Sequence, residues 1–257
     1  MNTNLKAKRI PCFGERIEFK NSKGQKIVGV LEKANDKGEI AIFIHGFSAN
    51  KDGGPKFMAE ELAKNKINSF RIDLDNQGES EPKLEEASIT NYKDTVLSAI
   101  RKLQELGFQA IDLVGTSFGG AVALAVANRF PINKMVLRAP VLDHYQRMLK
   151  QYGKEKIEEF KKAGHVNYYK DGQVYKIGYQ WVEDGKLYPF EKMKDITCPI
   201  LIIHGTNDDT VDYKDSVEKV SQFPNARLVS IKGASHFLGV NGDWTESSQA
   251  LVGFLKK

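Results

Sequence analysis

Short runs that are apolar at nearly every position, each followed by a longer helical pattern, constrain this chain more than any other feature. Ile40 to His45, Ile111–Val114, Lys134–Leu137 and Ile200–Ile203 are such runs. A strand that is apolar throughout is buried on both faces, which is the situation in a parallel sheet covered by helices on each side. The intervening segments carry the matching helical period. Lys56 to Lys66 places Phe57, Met58, Leu62 and Ala63 on one side, and Tyr92 to Leu106 does the same with Val96, Ile100 and Leu103 before a stop at Gly107. Helices are also expected at Phe118–Asn128, Tyr213–Phe223 and Trp244–Leu255, and further strands at Asn68–Asp73 and Ala226–Ile231. Near the N-terminus, Arg16 to Lys20 and Lys26 to Glu32 flank Ser22-Lys23-Gly24 and read as an antiparallel hairpin. The expectation is an α/β fold, a mostly parallel, doubly wound sheet with an N-terminal hairpin, forming a single domain over 1–257. Ligands of such sheets sit at the carboxyl ends of the strands.

One stretch breaks the rhythm. Residues 144–195 hold ten of the chain's 25 aromatic residues and seven of its nine tyrosines. Asp171-Gly172 lies between Val166-Asn167-Tyr168-Tyr169 and Val174-Tyr175-Lys176-Ile177, a tight-turn hairpin signal, and Glu155 to Lys162 reads as a short helix. A connection of ~50 residues exceeds an ordinary loop, so 144–195 is expected to be a small inserted α/β cap subdomain.

Composition removes several function classes. A net charge of +5 over 257 residues, with 38 basic side chains scattered singly or in pairs, is too weak a bias for a nucleic-acid binder. The basic stretch Lys6, Lys8, Arg9 is too short for an interaction tail. Cys12 and Cys198, the only cysteines, lack the neighbours of a zinc or redox motif, and neither metal nor organic cofactor is expected. No apolar run approaches the ~18 residues of a membrane span, and residues 1–20 lack a signal-peptide pattern, so the expected location is cytoplasmic. The expected partner is a small-molecule ester, with the protein a monomer or homodimer.

The chemistry lies in four short segments. Gly115-Thr116-Ser117-Phe118-Gly119-Gly120 falls between a strand and a helix, where a sharp turn projects the Ser117 hydroxyl out of the sheet edge. A serine attacks only when a base takes its proton and a carboxylate orients that base. Of the five histidines, His236 in Gly233-Ala234-Ser235-His236-Phe237 follows the last strand at the same edge as Ser117. His45 and His204 precede glycines at strand ends, where they are expected to shape turns. His144 and His165 belong to 144–195. Three carboxylates reach the edge: Asp208, Asp209 and Asp143. Finally, Ile44-His45-Gly46-Phe47-Ser48 ends the third strand. There the Phe47 amide, together with that of Phe118, is expected to cradle an oxyanion.

Taken together, these residues resemble the α/β-hydrolase superfamily over nearly the whole chain. The segments HGF at His45, GTSFGG, HGTND at His204 and GASH at His236 are similar to its oxyanion loop, nucleophile, acid and base. The resemblance implies an α/β-hydrolase fold and assigns the acid of the family's HGxxD pattern to Asp208. Asp73-Leu74-Asp75-Asn76-Gln77-Gly78-Glu79-Ser80 is similar to the family's DxRGHGxS turn, with Asn76 and Gln77 where Gly and His are usual. Within the superfamily, His45-Gly46-Phe47-Ser48-Ala49-Asn50-Lys51 and the tyrosine-rich insert look most like bacterial cinnamoyl (feruloyl) esterases, which cleave hydroxycinnamic esters beneath an inserted subdomain.

The reading that follows is a serine carboxylesterase with Ser117, Asp208 and His236 as its triad. Tyr168, Tyr169, Tyr175, Tyr179 and Trp181 are expected to contact an aromatic or short-chain acyl group. A monoacylglycerol lipase, thioesterase, or peptidase or amidase would use the same triad, and a dehalogenase is disfavoured because position 117 is not Asp. A non-catalytic binding protein on the same scaffold would show an eroded triad.

Overall fold

In the computed structural model, which describes residues 14–239 and 244–256, the apolar runs are the inner strands of an eight-stranded sheet. Cys12 and the basic stretch at 6–9 lie outside the described residues. In chain order the elements begin with β1 (Glu15–Lys20), β2 (Lys26–Glu32), β3 (Glu39–Ile44), α1 (Gly54–Lys64), β4 (Ser69–Ile72), α2 (Ile89–Glu105), β5 (Ala110–Thr116), α3 (Phe118–Ala127) and β6 (Lys134–Arg138). They continue with α4 (His144–Ala163), β7 (His165–Lys170), β8 (Gln173–Gly178), α5 (Gln180–Glu183), β9 (Ile200–Gly205), α6 (Tyr213–Val220), β10 (Ala226–Ile231) and α7 (Thr245–Leu255).

The strand order is β1-β2-β4-β3-β5-β6-β9-β10. β1 pairs antiparallel with β2, and β2 antiparallel with β4; every later pairing is parallel. The N-terminal hairpin and mostly parallel sheet expected from the sequence are thus both present. β3 pairs with β4 on one side and β5 on the other, so the winding reverses between β3 and β5 and opens a crevice at their carboxyl ends. From Ile40 to Ile44, β3 is at most 1% exposed, which is why its apolar pattern is continuous rather than alternating.

Two hydrophobic layers cover the sheet. One joins β3, β4 and β5 side chains such as Ile42, Phe70 and Leu113 to Val96 and Ile100 of α2 and to Val122 of α3, and extends to Met148, Ile157 and Trp181 of the 144–195 segment. The other packs Ala41, Val114, Val136 and Ile203 against Met58 and Leu62 of α1 and Leu251 and Phe254 of α7. Phe57, expected on the buried face of α1, is instead 44% exposed and rests on Trp244, with ring centroids 5.7 Å apart.

Segment 144–195 contains the expected hairpin, β7 and β8, whose turn has Asp171 at φ 50° and Gly172 at φ 74°. Its helix is longer than the sequence pattern implies. α4 starts at His144, where the Asp143 carboxylate accepts a hydrogen bond from the Gln146 amide, is broken at Gly153 (φ 76°, ψ 163°), and ends on left-handed Gly164. The break divides the amphipathic pattern, and only the half after Gly153 reads as helix in the sequence.

Candidate active site

Ser117 stands between β5 and α3 with φ 55° and ψ −121°, a conformation outside the helical and extended regions. Backbone strain of this kind costs about 1–3 kcal/mol and persists only where surroundings enforce it. Here the Ser117 amide donates to the Arg138 carbonyl at 2.9 Å, and the Ser117 carbonyl accepts from the amides of Gly120 and Val141 at 2.9 and 3.0 Å. The turn also needs its glycines: a Cβ at Gly119 would lie 2.2 Å from the Ile44 carbonyl oxygen, and one at Gly115 would lie 2.5 Å from the Gly119 oxygen.

Asp208 follows β9 and His236 follows β10, neighbouring parallel strands, which brings their loops together at the same edge. His236 Nδ1 lies 2.8 Å from Asp208 Oδ2. The same oxygen lies 3.0 Å from His204 Nε2, and Asp208 Oδ1 accepts from the amides of Thr210 and Val211, both at 2.9 Å. Burial alone would raise the Asp208 carboxyl. The hydrogen bonds from His204, His236 and the Val211 amide outweigh burial and hold it well below the usual carboxylate range. A carboxylate held ionised at neutral pH in this way can fix an imidazole's tautomer and balance its positive charge.

The other two carboxylates are occupied elsewhere. Asp143 caps α4 and also accepts from the Phe190 amide at 3.1 Å, and Asp209 is exposed beside the Thr210 hydroxyl. His204 does more than shape a turn. Its Nε2 also faces the Val211 carbonyl at 3.1 Å, and a carbonyl can only accept, so that nitrogen carries the proton and donates to Asp208 as well. Its Nδ1 then accepts from the Ser216 hydroxyl at 2.7 Å. The four-residue spacing of His204 and Asp208 in HGTND was the available signal for this pairing.

The loop after β3 closes against the Ser117 turn. A Cβ on Gly46 would sit 3.2 Å from Ser117 Cβ, so glycine permits the approach that brings the Phe47 amide towards the serine. His45 Nδ1 donates to the Gly46 carbonyl at 2.8 Å and Nε2 accepts from the Leu74 amide at 3.0 Å, the turn-shaping role expected of it. The Asp73 to Ser80 turn is built on Asp73, which accepts from the amides of Lys51 and Glu79, and it does not line the cavity described next.

Ser117, His236, Phe47 and Phe118 line one cavity of about 1260 Å³. No hydrogen bond joins Ser117 Oγ to His236 among the described residues. Within the cavity, the Trp181 ring centroid lies 4.2 Å from that of Phe47 and 4.1 Å from that of Phe118, and the Tyr168 ring lies 5.3 Å from Phe47. The five aromatic residues expected at the substrate divide accordingly. Tyr168 and Trp181 line the cavity; Tyr169, Tyr175 and Tyr179 do not. Tyr169 alternates with Tyr168 along β7 and is 73% exposed. Tyr175 turns its hydroxyl to Gln173, and Tyr179 packs on Phe160. The tip of β7 also grips the loop after β3: the Tyr168 and Ser48 hydroxyls are 2.9 Å apart, and Lys170 donates to the Ser48 carbonyl and, at 2.9 Å, to Gln77. Among the described residues no group of three or more His, Cys, Asp or Glu is placed to hold a metal ion.

Residues 42–152 match the family model of the alpha/beta hydrolase fold. Est1E from Butyrivibrio proteoclasticus, solved with ferulic acid bound, superposes with a TM-score of 0.81 at 22% identity, over 93% of this chain and 98% of that one. This chain is an α/β-hydrolase-fold protein. Mouse alpha/beta hydrolase domain-containing protein 10 shares the hydrolase fold at a TM-score of 0.75 and 20% identity, over 94% of this chain and 97% of that one. In sequence, the hydrolase-fold chain is 29% identical over 184 residues to the bovine mitochondrial palmitoyl-protein thioesterase ABHD10, 69% of this chain and 59% of the relative. It therefore spans less than two thirds of that relative's length.

Proposed function

We propose that the protein is a serine carboxylic-ester hydrolase working through an acyl-enzyme. The observation that carries this reading is the His236 Nδ1 to Asp208 contact of 2.8 Å beside a cavity that His236 shares with Ser117 on its strained turn. His236 takes the Ser117 proton as Oγ attacks the ester carbonyl, and the oxyanion forms against the amides of Phe47 and Phe118. The tetrahedral intermediate collapses with loss of the alcohol, which receives the proton from His236. Water, deprotonated by the same histidine, then attacks the acyl-enzyme, and the carboxylic acid leaves as Ser117 recovers its proton. Asp208 holds His236 in the required tautomer throughout.

Segment 144–195 acts as a cap and selects the acyl group through Tyr168 and Trp181. A planar aromatic acid fits beside the rings of Phe47, Phe118 and Trp181, and each good ring pair contributes about 0.5–1.5 kcal/mol beyond area burial. The likeness to Est1E, solved with ferulic acid, supports a cinnamoyl-type substrate. A second reading, cleavage of long-chain acyl thioesters, is favoured by the size of the cavity, since ligand pockets usually span roughly 300–1,000 Å³. The name of the ABHD10 relative supports it too.

The test is labelling with a fluorophosphonate serine probe, followed by a panel of methyl ferulate, short-chain p-nitrophenyl esters and palmitoyl thioester. Wild type is expected to label and Ser117→Ala to lose both labelling and turnover. A folded wild type that resists the probe overturns the hydrolase reading. Methyl ferulate cleaved no faster than the short-chain esters overturns the cinnamoyl preference.

A further inference from the structure

Arg138 ends β6 at the carboxyl edge, with its carbonyl bound to the Ser117 amide and its side chain lining the cavity. It is only 8% exposed, and its Nε has no hydrogen-bond partner. No charged neighbour offsets its burial, which pushes the guanidinium down to about 10. An arginine buried without a carboxylate is costly, because guanidinium desolvation is then uncompensated. The strand pairing explains where it points. Arg138 lies two residues after Val136, so both face the α1 and α7 side of the sheet, away from the layer that contains Met148 and Trp181. Met58, which lines the same cavity, belongs to the layer on that face.

The remaining charged side chains of the wall do not satisfy Arg138. Arg147 and Lys156 are cationic, Arg147 donates to the Thr210 carbonyl at 3.2 Å, and the single carboxylate, Glu159, is exposed. A largely apolar cavity therefore holds a forked cation whose Nε has no partner, on a strand face that differs from that of the layer containing Phe118 and Trp181.

We propose that Arg138 anchors a carboxylate carried on the alcohol half of the ester, while the acyl half lies beneath Trp181, Phe47 and Phe118. This rests on the ester-hydrolase reading above. A planar guanidinium matches a carboxylate through two parallel hydrogen bonds, and such charge-assisted bonds strengthen where water is excluded. The preferred substrates are then esters of hydroxy acids rather than of neutral alcohols.

Three measurements test the assignment. First, kcat/KM for acetyl release is compared between 4-acetoxybenzoate and the neutral, isosteric 4-acetoxybenzamide. Wild type is expected to favour the carboxylate about tenfold or more, Arg138→Gln to bring the ratio close to one, and Arg138→Lys to keep part of it. Secondly, the product 4-hydroxybenzoate is expected to raise the melting temperature of wild type and not of Arg138→Gln, with 4-hydroxybenzamide raising neither; this readout needs no turnover. Thirdly, Arg138→Gln without ligand is expected to melt at or above wild type, since a buried unpaired charge has been removed, which separates loss of preference from loss of folding. A probe-labelled, active wild type with a ratio near one and no 4-hydroxybenzoate shift overturns the Arg138 assignment and leaves the hydrolase reading intact. A shift that depends on Arg138 in a protein that does not label does the reverse. Preference for p-nitrophenyl hemiglutarate over p-nitrophenyl valerate, with none for 4-acetoxybenzoate, places the anion on the acyl half and overturns the proposal.

Discussion

Asp208 receives hydrogen bonds from two histidines and two backbone amides, and of those two histidines His236 lines the cavity. Its carboxyl is held below its ordinary value of 3.8 in the folded chain. A depressed folded value means stabilisation that is fully present above 3.8 and is lost as pH falls from there towards the folded value. Asp208→Asn is therefore expected to melt below wild type at neutral pH, the gap narrowing as pH is lowered beneath 4. Its kcat is expected to fall by about 10⁴-fold, the order associated with losing an orienting carboxylate. Thermal melts across pH 2–7 and steady-state kinetics at pH 7 check the two halves; an equally large activity loss for Asp209→Asn would count against the assignment. The sequence made Ser117, His236 and the three candidate carboxylates legible because their chemistry is local to short motifs. It did not expose Arg138. A single arginine closing an apolar strand resembles an ordinary strand end until the cavity beside it is known.

At the scale of elements, the Ser117 turn exists because β3, β5 and α3 approach more closely than side chains allow. Gly119→Ala would set a Cβ against the Ile44 carbonyl, and a backbone oxygen cannot rotate aside as a side chain can. The variant is expected to lose about 3 kcal/mol or more in urea denaturation, at the upper end of overpacking effects, together with most ester turnover. A wild-type midpoint would show that the turn has slack the geometry does not suggest. The core elements were readable because burial on both faces writes itself into the sequence, as in Ile40 to Ile44. α4 was half readable, since Gly153 interrupts the period on which recognition of a helix depends. The tyrosines were least readable. Tyr168 and Tyr169 are chemically identical neighbours, and only the register of β7 against β8 sends one to the cavity and the other to solvent.

For the whole molecule, the hydrophobic layer that contains α2 and α3 also contains Met148, Ile157, Trp181 and Phe190, so segment 144–195 has no core of its own. Unfolding is expected to be a single transition. In a Trp244→Phe variant, Trp181 is the only tryptophan left, and its fluorescence should follow the far-UV circular dichroism through one midpoint; an earlier fluorescence change would show that the segment melts separately. The grip of β7 on the loop after β3 adds a functional side to this integration. Tyr168 and Lys170 hold Ser48, whose neighbour Phe47 carries an amide of the proposed oxyanion cradle. Any displacement of the hairpin large enough to admit a bulky ester must release those bonds and slacken the loop. The hairpin and the loop that carries the proposed oxyanion cradle are in this sense one mechanical unit, so a substitution that loosens one is felt by the other.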